Sequence, residues 1–121
     1  MPALASFLGR AIWSSEERAR RLLHSWLSPD QRKQFVACGC FEVVGSDSGK
    51  RYRICEGLAF NVQELDDLGW VVRLWCFTVE NVARSDVYLA QKIALETFEN
   101  EALAVANRRG APAFTTPAQR S

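Results

Sequence analysis

The sequence predicts an α+β fold: two short N-terminal helices, a four-stranded antiparallel meander sheet, and a long C-terminal helix packed on the sheet. Three observations predict it. Two helix-start signatures lie close together before residue 40, four strand-like runs separated by turn formers fill residues 40–77, and a long stretch free of Gly and Pro follows Ser85.

Ser14-Ser15-Glu16-Glu17 opens the first helix as a capping box, with Ser14 taking an orphan amide and Glu17 reaching back. Ala19, Leu22, Leu23 and Trp26 share one side of it, and Arg18, Arg20, Arg21, His24 and Ser25 the other. Ser28-Pro29-Asp30-Gln31 opens the second helix: Ser28 caps, Pro29 suits the first helical position and Gln31 completes the box. Gly39 suits a left-handed stop. Helix–corner–helix invites comparison with a DNA-reading pair. The second helix is short and its Arg32-Lys33-Gln34 side modest, so a structural role is expected.

Cys40-Phe41-Glu42-Val43-Val44 and Lys50-Arg51-Tyr52-Arg53-Ile54-Cys55 alternate as strands, joined by the turn formers Gly45-Ser46-Asp47-Ser48-Gly49. Gly45 to Lys50 is one residue short of a phosphate loop, lacks the Ser/Thr after its lysine and leads into a strand, which excludes that reading. Gly57 precedes a third strand near Ala59 to Leu65, and Asp66-Asp67-Leu68-Gly69 makes the next turn. The fourth strand, Trp70 to Phe77, is apolar on both sides apart from Arg73, as suits the middle of a covered sheet or a subunit interface. Ser85 is expected to cap the last helix, with Asp86 at its positive end, and the helix to run to about Asn107. Arg108-Arg109-Gly110 and Pro112 mark its stop. Residues 1–13 read as a lead-in, 14–109 as a single α+β domain and 110–121 as a disordered tail.

With 121 residues, 48% of them hydrophobic, the chain has the size and composition of one globular domain. A net charge of +1 gives no global pull toward nucleic acid or an anionic membrane. The N-terminus lacks a leading positive charge and Arg10 interrupts its apolar stretch, so the cytoplasm is expected. Cys38, Cys40, Cys55 and Cys76 are expected to be free thiols packed as small hydrophobes. One C-x-C pair followed by two isolated cysteines does not make a zinc knuckle, and no metal or cofactor is expected.

The strings Trp26-Leu27-Ser28-Pro29-Asp30-Gln31, Phe41-Glu42-Val43-Val44-Gly45-Ser46 and Arg51-Tyr52-Arg53-Ile54 resemble a group of small uncharacterised bacterial proteins. Asn61-Val62, Leu65-Asp66, Gly69, Cys76, the stretch Leu89 to Glu96, Glu99 and Ala106-Asn107 extend the likeness over residues 22–108. In that group the positions of Cys38 and Cys40 are usually other residues, a departure that weakens the zinc reading further. The resemblance implies one compact module and brings no activity with it.

Catalytic readings find little support. His24, the only histidine, is expected to be solvated, and nothing arranges a nucleophile and an orienting group around it. Glu42, Glu56, Glu64, Asp66 and Asp67 sit near strand ends and turns, where carboxylates are usually solvated. Arg51 and Arg53 alternate with Tyr52 and Ile54 and so share one face, and in the fourth strand Arg73 shares a face with Val71, Trp75 and Phe77. A register that brought Arg51, Arg53, Arg73 and Trp75 to one side would make a basic–aromatic platform. The function expected from it is a non-enzymatic module that binds a protein partner or itself. The alternative is a nucleic-acid-binding accessory protein using the same face with help from Arg108 and Arg109.

Overall fold

A computed structural model describes residues 15–77 and 83–110. The first helix, α1, covers residues 15–26 and buries a narrow ridge of Ala19 and Leu23, continued by Leu27 just past its end. Leu22 and Trp26 are 47% and 57% exposed, so the buried stripe follows i, i+4, i+8 and is narrower than the composition suggests. Helix α2 (Pro29–Cys38) starts on a complete capping box. The Ser28 Oγ accepts from the Gln31 amide at 3.1 Å, and the Gln31 Oε1 accepts from the Ser28 amide at 2.9 Å. It stops at Gly39, whose φ of 72° is the left-handed conformation that a side chain disfavours.

Five strands follow: β1 (Cys40–Val44), β2 (Arg51–Cys55), β3 (Val62–Leu65), β4 (Val71–Cys76) and β5 (Asn107–Gly110). They pair antiparallel in sequence order. Between β4 and β5 the chain forms α3 (Arg84–Thr97) and α4 (Glu99–Val105). Leu23, Leu27 and Phe35 from the first two helices and Tyr88, Leu89 and Leu95 from α3 pack with Phe41, Val43, Tyr52, Ile54, Val62 and Trp75 in one core. Those strand residues all lie on the same side of the sheet, because directly paired residues share a face.

Two features of the predicted fold are corrected here: the sheet has five strands, not four, and the C-terminal helix is two helices. The first correction follows from β4. With only β3 beside it, this apolar strand would expose a row of unpaired amides and carbonyls. Asn107–Gly110, expected as a helix stop, instead pairs with Cys76–Arg73 and makes β4 an inner strand.

The second correction has its cause at Ser46. An uninterrupted helix would bond the Glu99 amide to the Leu95 carbonyl. Ser46 stands between them: its own amide donates to the Leu95 oxygen at 2.9 Å, and its Oγ accepts from the Glu99 amide at 3.1 Å. Asp47 Oδ2 takes the next amide, Asn100, at 2.9 Å. The β1–β2 turn thus caps the end of α3 and the start of α4 together, and Phe98 between them leaves helical geometry at φ −136° and ψ 51°.

The side chain of Glu99 returns the contact. Its carboxylate accepts from the Asp47 and Ser48 amides at 2.9 and 2.7 Å, and from the Ser48 and Tyr52 hydroxyls. Burial opposes its charge, yet the hydroxyls and amides around it outweigh that cost and hold its pKa below the ordinary carboxylate value. Burial, then the bond to Glu99, pushes the Tyr52 phenol well above its ordinary range. Gly45 is required by the same approach, since a Cβ there would overlap the Glu99 carboxyl group.

The start of α3 is also capped from a distance. Ala83 stands at the N-cap without a side-chain bond, and Glu16 of α1 accepts from the Arg84 amide at 3.2 Å and the Ser85 Oγ at 2.9 Å. Ser85, expected as the cap, is instead the donor to Glu16. Ser14, the lead-in 1–13 and residues 111–121 of the expected tail lie outside the described residues, while Gly110 belongs to β5.

Gly45→Ala should destabilise the protein by about 2–3 kcal/mol, as overpacking against an anchored carboxylate does; equilibrium urea unfolding measures it. Because the folded pKa of Glu99 is depressed, its contribution is complete above the ordinary value of 4.5 and is lost as pH falls through the lower folded value. Glu99→Gln should cost roughly 2–3 kcal/mol at neutral pH and flatten the acid limb of a stability–pH profile. An unchanged acid limb would contradict this assignment.

Candidate functional site

The register decides which of the predicted site residues meet. Arg73 is opposite Glu64, which is opposite Tyr52, so Arg73 and Trp75 lie on the helix-covered face with the core. Arg51 and Arg53 pair with Val44 and Glu42 and lie on the other face. The four residues are therefore split across the sheet, two on each side.

On the covered face Arg73 and Trp75 both serve Glu64. The Arg73 Nη1 donates to both carboxylate oxygens at 3.2 and 3.1 Å, and the Trp75 indole donates at 3.0 Å. Lys50 approaches to 3.5 Å. Glu64 is 4% exposed, and a buried carboxylate is tolerated only when its oxygens are fully engaged, as here. The cluster is an internal ion-pair network.

The other candidate carboxylates are also engaged or exposed. Glu42 holds Arg51 at 2.9 Å, Asp66 accepts from the Leu68 and Trp70 amides of its turn, and Glu56 and Asp67 are exposed. His24, expected in solvent, is half-buried with its ring edge-on to Phe35 at 5.7 Å between centroids. A cleft of about 420 Å³ opens between α1, the β2–β3 loop and the start of α3, flanked by Arg20, Arg84 and Tyr88. Glu16 on its wall already occupies the helix N-terminus that would otherwise attract an anion. Among the described residues no group of three or more His, Cys, Asp or Glu is placed to hold a metal ion. No helix there is long and apolar enough to cross a membrane.

The opposite, more open face carries Arg51, Val44, Leu74 and Arg109, together with Arg53 and Leu65, which are buried. Arg51 is tied to Glu42, whereas Arg53 and Arg109 have no carboxylate partner among the described residues. Arg109 lies over the Phe60 ring at 4.5 Å from its centroid, a cation–π contact. Val44 remains 57% exposed. A bulge at Glu64–Leu65 sets an extra residue into β4, and its Val72 is 38% exposed. Arg108 pairs with Trp75, one residue out of phase with Arg109, and so belongs to the opposite side of β5.

Searches against protein-family models, curated proteins and solved structures find no match, so the site stands on its own geometry. Sequence reasoning missed two groups there. Glu99 carries no local signal, since its partners lie on a hairpin about half a chain away. Cys40 and Cys55 are direct cross-strand partners beside Arg53, which only the β1–β2 register shows.

Stability measurements separate the two kinds of arginine. Glu64→Ala should cost about 2–3 kcal/mol, because it strands the Arg73 guanidinium and the Trp75 indole away from their acceptor. Arg51→Ala should change stability by less than about 0.5 kcal/mol, as for an exposed ion pair. Equal costs in urea unfolding would show that Arg51 is as structural as the arginine bound to the buried Glu64.

Proposed function

We propose that this chain is a non-enzymatic interaction module that docks a protein segment carrying carboxylates and apolar side chains on the open face of its sheet. The observation that carries the reading is the pairing of charges on that face. The exposed Arg109 lacks a carboxylate partner among the described residues and shares its face with Val44 and Leu74, with the cation of Arg53 buried beneath, so a complementary surface would bring acidic groups to an apolar centre. Arginine flanked by exposed apolar groups is the composition from which binding hot spots are drawn.

The carboxylates that the sequence offered for acid–base work are taken up by turns and ion pairs or stand in solvent, which favours binding over catalysis. The Phe60 ring is covered by Arg109 and so is not free to stack a base, which favours a protein over a single-stranded nucleic acid. The four cysteines are free thiols, which supports a reducing compartment such as the cytoplasm.

Arg109→Glu, at the exposed arginine, should weaken the captured partner at least about tenfold, equivalent to roughly 1.4 kcal/mol, while circular dichroism and urea midpoint stay near wild type. Affinity capture from cells with wild-type and variant bait, followed by titration of the recovered protein, makes the measurement. A folded variant that keeps full affinity overturns the reading. So does wild-type binding to random oligonucleotides that weakens steeply with salt. Light scattering reports whether the partner is a second copy of the chain.

A further inference from the structure

Cys40 and Cys55 stand directly opposite each other on β1 and β2, on the open face. The Glu56 amide donates to Gly39 and the Gly45 amide to Lys50, so pairs 39/56 and 45/50 are hydrogen-bonded. The alternation of an antiparallel ladder then makes 40/55 a non-hydrogen-bonded pair. The Cys55 amide agrees, donating instead toward β3 at the Asn61 carbonyl, at 2.9 Å. In such a pair the Cα atoms approach to about 4.5 Å, inside the span a disulfide can bridge but at its short end. A bond closed there is strained and easily reduced, which suits a reversible link better than a permanent one.

Two further groups lie beside the pair. Arg53 lies one step along β2 on the same face, buried and without a carboxylate partner among the described residues. Cys38, at the end of α2, also faces Cys40, although its thiol donates to the Gln34 and Cys40 carbonyls at 3.2 and 3.6 Å. The hydrogen bond from Cys55, then the charge of Arg53, outweighs burial and brings the Cys40 thiol down to about 6. The bond that Cys55 gives to Cys40, followed by burial, pushes the Cys55 thiol up. The pair is thus asymmetric, with Cys40 half-buried and its thiol shifted down, and Cys55 buried and its thiol shifted up.

We infer that Cys40 and Cys55 form a reversible thiol–disulfide pair, with Cys40 attacking hydrogen peroxide and Cys55 resolving the product. The Cys40 thiolate takes one peroxide oxygen, the O–O bond breaks, and the leaving hydroxide acquires a proton to become water. Cys40 is now a sulfenic acid. The Cys55 sulfur then attacks the Cys40 sulfur and the S–O bond breaks. Hydroxide leaves with the proton that Cys55 releases, again as water. Two thiols and one hydrogen peroxide become one disulfide and two waters, the two cysteines oxidised and the peroxide reduced.

The full chain, treated with hydrogen peroxide and then alkylated, tests this by peptide mass mapping without reductant. The expected product is a single Cys40–Cys55 cross-link, two hydrogens lighter than the reduced pair and restored by dithiothreitol. Cys55→Ser should leave Cys40 as a sulfenic acid that dimedone traps, and Cys40→Ser should leave Cys55 reduced. In the wild type, iodoacetamide labelling of Cys40 should rise with a midpoint near pH 6, whereas an ordinary thiol has its midpoint at about 8.5. The midpoint is the readout because a thiolate of low pKa is also a weaker nucleophile. A Cys38–Cys40 link, oxidation no faster at Cys40 than at Cys76, or an ordinary labelling midpoint would each overturn the inference.

Discussion

The contact between the β1–β2 turn and the break between α3 and α4 is the constraint on which the rest of the structure depends. Ser46 replaces one helical hydrogen bond by two, Asp47 caps the next amide, and Glu99 sends its carboxylate back into the turn. Each group supplies what the other lacks. The turn has backbone amides with no strand to pair them, and the broken helix has an orphan carbonyl and orphan amides. Joining them satisfies both sets, and no buried side-chain nitrogen or oxygen among the described residues is left unpaired. The partners are 51–53 residues apart, so this lock closes a long loop and can form only once most of the chain is in place.

From that lock the remaining topology follows in order. Ending α3 at Thr97 redirects the chain, so that α4 is short and delivers Asn107 to the free side of β4. With β5 attached, β4 becomes an inner strand. One of its faces then carries Arg73 and Trp75 to Glu64, and the other contributes Leu74 to the open surface. Tyr52 joins the two polar centres, bonding Glu99 through its hydroxyl while sitting opposite Glu64 in the ladder. The helix-covered face is therefore a core with two anchored carboxylates in it, an arrangement that favours one register over its neighbours.

Elements with a local cause were legible in the sequence. Ser28-Pro29-Asp30-Gln31 and Gly39 bound the second helix by chemistry confined to a few residues. The strand–turn–strand from Cys40 to Cys55 and the inner placement of β4 were likewise carried by alternation and apolarity. What escaped depends on partners distant in the chain. Residues 85–107 contain no Gly or Pro, and helix propensity alone runs them together; the interruption comes from Ser46, not from Thr97 or Phe98. Asn107-Arg108-Arg109-Gly110 has no strand signature, and only the unsatisfied edge of β4 makes it one. Pairing Arg51 and Arg53 with Arg73 and Trp75 required a register that alternation within single strands does not contain.

Arg53 is where the open face and the thiol pair meet. A guanidinium that is 9% exposed needs an anionic neighbour, and Glu42, directly opposite it, is turned toward Arg51. On the inference above, Cys40, whose thiol that guanidinium helps to lower, supplies the counter-charge as a thiolate. On the two proposals together, closing the Cys40–Cys55 bond removes that charge and leaves the cation of Arg53 uncompensated beneath the docking face. The docking face would then hold an acidic segment more tightly when oxidised than when reduced. The coupling has a definite sign because it rests on a single negative charge beside a single buried cation, and a partner that bound the reduced protein better would show that the charge of Arg53 does not reach it.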